Sequence, residues 1–190
     1  MMGPSSGFGW LARMFESGGA GPAAVSSGYG DFGGKSYGSY QFASRTGDVD
    51  RFLKGSGYDK MFAGLSVGSG PFDEKWKNLG MNDPKFAEAQ NEYIKAKYLY
   101  PQAQKILSDT GIDVRSRHPI ISEETLSTAV QYGPATSVIS RALRGTDPAS
   151  ITDAEILQRI GQQKIENVGT NFRSSSPAVQ ASVANRIKRE

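Results

Sequence analysis

Residues 15–42 read Phe15-Glu-Ser-Gly-Gly-Ala-Gly-Pro-Ala-Ala-Val-Ser-Ser-Gly-Tyr-Gly-Asp31-Phe-Gly-Gly-Lys-Ser-Tyr-Gly-Ser-Tyr-Gln-Phe42. Glycines have few apolar contacts to offer and lose much backbone entropy when ordered, so a fixed path through them needs a special backbone conformation or a ligand to justify it. Glu16 closes a run in which Phe8, Leu11, Ala12 and Phe15 recur at helical spacing, and Gly18-Gly19 stop that run. Downstream, Ser36, Tyr37, Ser39, Tyr40 and Phe42 are hydroxyl and aromatic residues suited to a short strand, which predicts a small hairpin or ribbon. A connection this long is functional or disordered, and its aromatic and charged residues favour function.

Outward from this stretch the pattern is helical. Val49, Phe52 and Leu53 form one short amphipathic set, Tyr58, Met61, Phe62 and Leu65 a second, and residues 72–79 a third with Trp76 as a packing residue. Asn82-Asp83-Pro84 is a helix start, followed by Phe86, Ala89, Gln90, Tyr93, Ile94 and Lys97 in register, with Gln90 a buried hydrogen-bonding residue. Pro101 predicts a kink or a split before Ile106 and Leu107. Ser122-Glu123-Glu124-Thr125 opens a further helix with its acids in the first turn, Gly133-Pro134 breaks it, and residues 135–143 resume it. Thr152 and Glu155 make a capping box ahead of an apolar face of Ile156, Leu157, Ile160 and Ile165, and Val179, Val183 and Ile187 mark a closing helix over 177–190. The expectation is a mainly α (α+β) single domain over residues 1–190 with one glycine-rich hairpin near its start. Residues 1–6 are read as an expression remnant or a disordered end.

A chain of 190 residues without cysteine has neither disulfides nor thiol chemistry. Its single histidine, His118, stands before Pro119 and reads as a solvated turn residue, so no metal centre is expected. No apolar run approaches the roughly eighteen residues of a membrane span, and the N-terminus lacks a secretory signal. The net charge of +3, with basic residues scattered, falls short of a nucleic-acid binder but suits an anionic polymer such as a bacterial cell wall. Gly34-Lys35-Ser36 fails as a phosphate-binding loop because Tyr29 stands where the motif needs glycine.

The two carboxylates of the opening stretch suit cleavage of a glycosidic bond. That reaction asks for one carboxylic acid and one carboxylate, about 6.5–9.5 Å apart in inverting enzymes and about 5–5.5 Å apart in retaining ones. Glu16 stands at a helix C-terminus behind apolar residues, where both the dipole and desolvation disfavour its charged form. A solvated glutamate that merely ends a helix is the plainer alternative. Asp31 lies among glycine N–H groups and takes the partner role, with the Ser36 hydroxyl placed to hold a water.

Glu16-Ser-Gly-Gly, together with Gly30-Asp31-Phe32-Gly33-Gly34-Lys35-Ser36-Tyr37-Gly38-Ser39-Tyr40-Gln41-Phe42, resembles the active-site signature of lysozyme-like muramidases carried by phages and by type VI secretion spike and effector proteins, relatives of the chitosanases. Leu126-Ser127-Thr128-Ala129-Val130-Gln131-Tyr132-Gly133-Pro134 resembles a later helix of the same group, with tyrosine at 132 in place of its usual histidine, and Phe86 to Gln90 with Tyr93-Ile94 resemble the helix between. The resemblance implies a lysozyme-like fold with Glu16 as general acid, Asp31 as general base and Ser36 as the water-positioning hydroxyl, where the group tends to carry threonine. It implies that Tyr37, Tyr40, Gln41 and Gln131 line the substrate cleft, although structural roles suit a ribbon tyrosine and a helical glutamine equally well. The implied activity is hydrolysis of the β-1,4 bond between N-acetylmuramic acid and N-acetylglucosamine, without metal or cofactor. A monomer is expected, acting on peptidoglycan in the periplasm of target bacteria after delivery on a secretion or tail-spike carrier, with an immunity protein as possible partner and no nucleic acid or membrane insertion. The alternatives are a chitosanase, whose cationic substrate suits an acidic cleft better than this basic chain, and an inactive wall-binding module.

Overall fold

The computed structural model describes the backbone of residues 21–171 and the side chains of residues 21–167. Glu16 with the predicted helix around it, and the predicted closing helix over 177–190, lie outside the described residues. The chain divides into two compact units, Met1–Ala96 and Lys97–Glu190. The described residues are mainly helical, with one small antiparallel hairpin near the N-terminal side.

In the first unit the hairpin pairs β1 (Ser36–Tyr37) with β2 (Phe42–Ala43), setting Tyr37 opposite Phe42 and Ser36 opposite Ala43. Two strands of two residues are marginal alone. The incoming chain adds a third, irregular rung: Val25 bridges Tyr37, Gly38 N donates to Ala24 O at 2.8 Å, and Ser26 N donates to Ser36 O at 2.9 Å. Helices α1 (Asp48–Ser56), α2 (Gly70–Asn82) and α3 (Pro84–Ile94) follow. The last two start on side-chain caps: Ser69 Oγ accepts from Phe72 N at 3.3 Å and Asp83 Oδ1 from Lys85 N at 3.0 Å.

The second predicted helical set shrinks to a 3-10 turn, Asp59–Phe62. Gly57 (φ 77) and Gly64 (φ 79) bound it, and in this left-handed conformation the helix cannot continue. Met61 is consequently on the surface while Phe62 is buried.

Aromatic residues dominate the core of this unit. Phe42 stacks on Phe52 (4.7 Å between centroids, 7° between planes), Trp76 meets Phe86 edge-on (4.9 Å, 77°), and Phe62, Phe72 and Tyr37 complete the cluster. Each such pair contributes on the order of 1 kcal/mol beyond the apolar area it buries.

Between Ile94 and α4 (Tyr100–Thr110) the chain makes a π-helical turn, Lys95–Leu99, directly before Pro101 in the first turn of α4. Proline lacks the N–H that an α-helix would donate four residues back, so the ladder widens there, as the predicted split requires.

In the second unit, α5 (Pro119–Tyr132), α6 (Val138–Ala142) and α7 (Asp153–Asn171) gather an aliphatic core of Ile106, Ile112, Val114, Ile121, Ile139, Leu143, Ile156 and Ile160. Helix α5 begins three residues before the predicted start, because His118 is its cap: Nδ1 accepts from Ile120 N at 3.3 Å. Glu124 is therefore not a first-turn acid but a mid-helix residue. It is 6 % exposed and pairs at 2.7 Å with Lys164, itself 1 % exposed. The apolar face of α7 is Ile156, Ile160 and then the pairing Lys164, four residues apart each time, which leaves Ile165 outside it and exposed. The capping box forms, with Glu155 N donating to Thr152 Oγ1 at 3.2 Å and Thr152 N to Glu155 Oε2 at 2.8 Å.

Breaking a buried pair strands a charge, whereas removing both partners does not. Lys164→Met alone is expected to cost about 3 kcal/mol in urea unfolding, and Lys164→Met with Glu124→Leu to recover most of it. Equal losses in the single and double variants would show that the pair is not desolvated.

Candidate active site

The glycine loop between the incoming chain and β1 is held by its own backbone. Asp31 N donates to Gly28 O (3.4 Å), Gly34 N to Asp31 O (3.0 Å) and Arg45 N to Gly33 O (2.9 Å), so the loop is laced to itself and to the chain leaving β2. Asp31 is exposed at its tip, and its Oδ1 accepts from Gly33 N at 2.8 Å. One carboxylate oxygen is thereby oriented and the other left for a ligand or water. Tyr29 and Phe32 flank it at 97 % and 99 % exposure. Together with Gly28, Gly30 and Arg45 these residues line a depression of about 330 Å³.

A second depression of about 300 Å³ adjoins the loop, lined by Ser27, Gly28, Gly34, Lys35, Ser44 and Arg45 together with Val67 and Gly68. Lys35 is committed there: its Nζ pairs with Asp73 Oδ2 and donates to Gly68 O at 2.8 Å. The second oxygen of Asp73 accepts from the Tyr37 hydroxyl. One carboxylate on α2 thus clamps two consecutive alternate residues of the ribbon. Burial, and after it this bond to a carboxylate, raise the Tyr37 phenol well above the ordinary tyrosine range.

Gln90 fixes the other side of the hairpin. Fully buried on α3, its Nε2 donates to Pro22 O at 3.0 Å and its Oε1 accepts from Ser39 N at 3.0 Å; Trp76 Nε1 donates to the same Pro22 carbonyl at 2.9 Å. Gly38 (φ 73) sits against this amide. A Cβ there would lie 2.4 Å from Gln90 Oε1, so only glycine fits.

The residues predicted from sequence divide as follows. Asp31 and Ser36 lie in one unit, Asp31 on the exposed loop and Ser36 half-buried on β1, where its N–H donates to Ser26 Oγ at 2.8 Å. Glu16 lies outside the described residues, so its distance to Asp31 is not part of this geometry. Tyr37 is corrected from a cleft residue to a core one: its ring is 0 % exposed, against Phe72 and Trp76. Tyr40 is half-buried and its hydroxyl donates to Asn91 Oδ1 at 2.9 Å, a bond that fastens the hairpin to α3. Gln41 is exposed at the hairpin turn with φ 52, where a non-glycine residue is uncommon. Gln131 belongs to α5 in the second unit; it is half-buried and its Oε1 has no hydrogen-bond partner among the described residues.

Sequence reading passed over Tyr29, Phe32, Arg45 and Asp73. The first two carried a usable signal, since aromatic rings between glycines have no neighbours to bury them. Asp73 carried none, because its partners are more than thirty residues away.

Comparison with known proteins points to one family. The profile of the family described as type VI secretion system spike protein VgrG3-like, C-terminal, matches residues 8–190. The chain is also 32 % identical, over 168 residues, to the type VI secretion system spike protein VgrG3 of Vibrio cholerae serotype O1. That alignment covers 88 % of this chain and 16 % of the relative, so the chain spans about a sixth of the length of the spike protein it matches.

The Tyr37 hydroxyl carries a pH signature. With its folded pKa above the unfolded value near 10, the unfolded chain releases this proton first as pH rises. The stabilisation is complete below pH about 10 and is lost above it. Tyr37→Phe is expected to cost about 1–2 kcal/mol at pH 7 and to flatten the fall in stability above pH about 10. An unchanged slope in denaturant midpoints across that range would rule the bond out.

Proposed function

The chain belongs to the VgrG3-like C-terminal family of type VI secretion spike proteins, and from that premise we propose that it is a peptidoglycan glycosidase, a muramidase delivered to target bacteria as a spike-borne effector. The reaction is hydrolysis of the β-1,4 bond between N-acetylmuramic acid and N-acetylglucosamine, by one lysozyme-like catalytic domain. Glu16 protonates the leaving oxygen, Asp31 takes a proton from the attacking water, and the Ser36 hydroxyl orients that water. No metal or cofactor takes part.

The observation that carries this reading is the exposed Asp31 carboxylate, oriented through one oxygen by Gly33 N–H and bracketed by two almost fully exposed aromatic rings. Aromatic rings left in water beside a depression suit the apolar faces of sugars. An oriented carboxylate at a glycine-lined surface gives a polymer backbone room to approach. The remaining assignments, Tyr40, Gln41 and Gln131 as glycan contacts and an immunity protein as partner, rest on the resemblance of the sequence motifs. Tyr40 and Gln41 fit it best as residues at the rim of the hairpin. The site of action under this reading is the periplasm of the target cell.

Release of reducing ends from purified peptidoglycan tests the proposal. Glu16→Gln and Asp31→Asn are each expected to lower the rate by about 10²–10⁴-fold with folding intact, and Ser36→Ala by a smaller factor than either. Full activity in Glu16→Gln would remove the acid assignment. Preference for chitosan over peptidoglycan would move the chain to the chitosanases, and binding to wall without cleavage would make it an inactive module.

A further inference from the structure

Arg45 is the cation that the hairpin region leaves unused. Lys35, which shares its depression, is neutralised by Asp73, whereas Arg45 forms no ion pair among the described residues and its side chain is exposed. Its position is nonetheless built. Arg45 N is tied to Gly33 O at 2.9 Å. The aliphatic stem lies over Gly34, where a Cβ would stand 2.9 Å from Arg45 Cγ and 3.2 Å from Cδ. Gly34 has φ 77 and so gives the loop both its left-handed turn and the space for that stem. The residue also lines both depressions beside the loop, the one holding Asp31, Tyr29 and Phe32 and the one holding Lys35.

Resting on the glycosidase reading above, we propose that Arg45 selects glycans that carry a carboxylate. In a peptidoglycan strand every second sugar bears a lactyl ether, whose carboxylate is free wherever the peptide stem has been removed and which chitin lacks, although the two β-1,4 backbones are otherwise alike. Tyr29 and Phe32 stack on sugar faces and do not distinguish the two polymers. The guanidinium does, because its planar fork pairs with a carboxylate through two parallel N–H donors. It also disfavours the ammonium groups of chitosan by like-charge repulsion.

The test compares two probes: peptidoglycan strands stripped of their peptide stems, so that the lactyl carboxylate is free, and N-acetylated chitin oligosaccharides of the same length. For the parent, kcat/KM is expected to favour the stripped strands, and added salt to narrow the preference. Arg45→Gln is expected to reduce that preference about tenfold, through KM, and Arg45→Lys to restore part of it. Phe32→Ala lowers activity on both probes alike. A preference unchanged in Arg45→Gln, or an equal loss on both probes, overturns the proposal. If the parent cuts neither probe nor intact peptidoglycan, the glycosidase reading fails; if it cuts neither probe, selectivity is read from equilibrium binding of the same probes, where equal retention by parent and Arg45→Gln overturns the proposal separately.

Discussion

The side-chain amide of Gln90 is the constraint on which the first unit depends. It is fully buried, and both of its ends are spent on backbone: Nε2 donates to Pro22 O and Oε1 accepts from Ser39 N. An unmade hydrogen bond in that position costs a buried polar group about 1–3 kcal/mol. The incoming chain and the hairpin turn are therefore held to α3 by one residue that no apolar or acidic side chain can replace on both sides. Trp76 adds its indole N–H to the same Pro22 carbonyl, joining α2 to the arrangement. A glycine-rich segment acquires a fixed path from these bonds together with the burial of Tyr37 and Phe42.

The same logic explains why polar groups here sit where sequence patterns lead one to expect apolar ones. Asp73 lies on the first turns of α2 yet serves the ribbon, taking Lys35 on one oxygen and Tyr37 on the other. In the second unit Lys164 occupies the register position after Ile156 and Ile160 and reaches Glu124. Paired in this way, buried polar groups are tolerated, and they restrict how neighbouring elements pack. The two units thus differ in composition, an aromatic core in the first and an aliphatic one in the second. Each uses a buried or half-buried ion pair to tie distant segments.

For function, the consequence is a division of labour along the loop. The residues that hold it, Gln90, Asp73, Lys35 and the Tyr37 ring, face inward. Those that remain in water are Tyr29, Asp31, Phe32 and Arg45. Anchoring keeps the backbone fixed so that the exposed set can be presented without a core beneath it, as a binding loop on a rigid support requires.

Local chemistry determined what the sequence alone could determine. Helix starts at Asp83 and Thr152, the interruption at Pro101, the hairpin after Gly34 and the burial of Trp76 and Gln90 all follow from capping, proline geometry and apolar spacing, which act within a few residues. Asp31 was legible as a loop carboxylate because glycines surround it. The tertiary structure decided what depends on partners distant in the chain: that Tyr37 is core, that Glu124 is buried against Lys164 and not a first-turn acid, that Ile165 faces out, and that Lys35 is consumed while Arg45 is left in water. Periodicity reports which face of an element is apolar, but only the packed neighbours fix which polar group that face must satisfy.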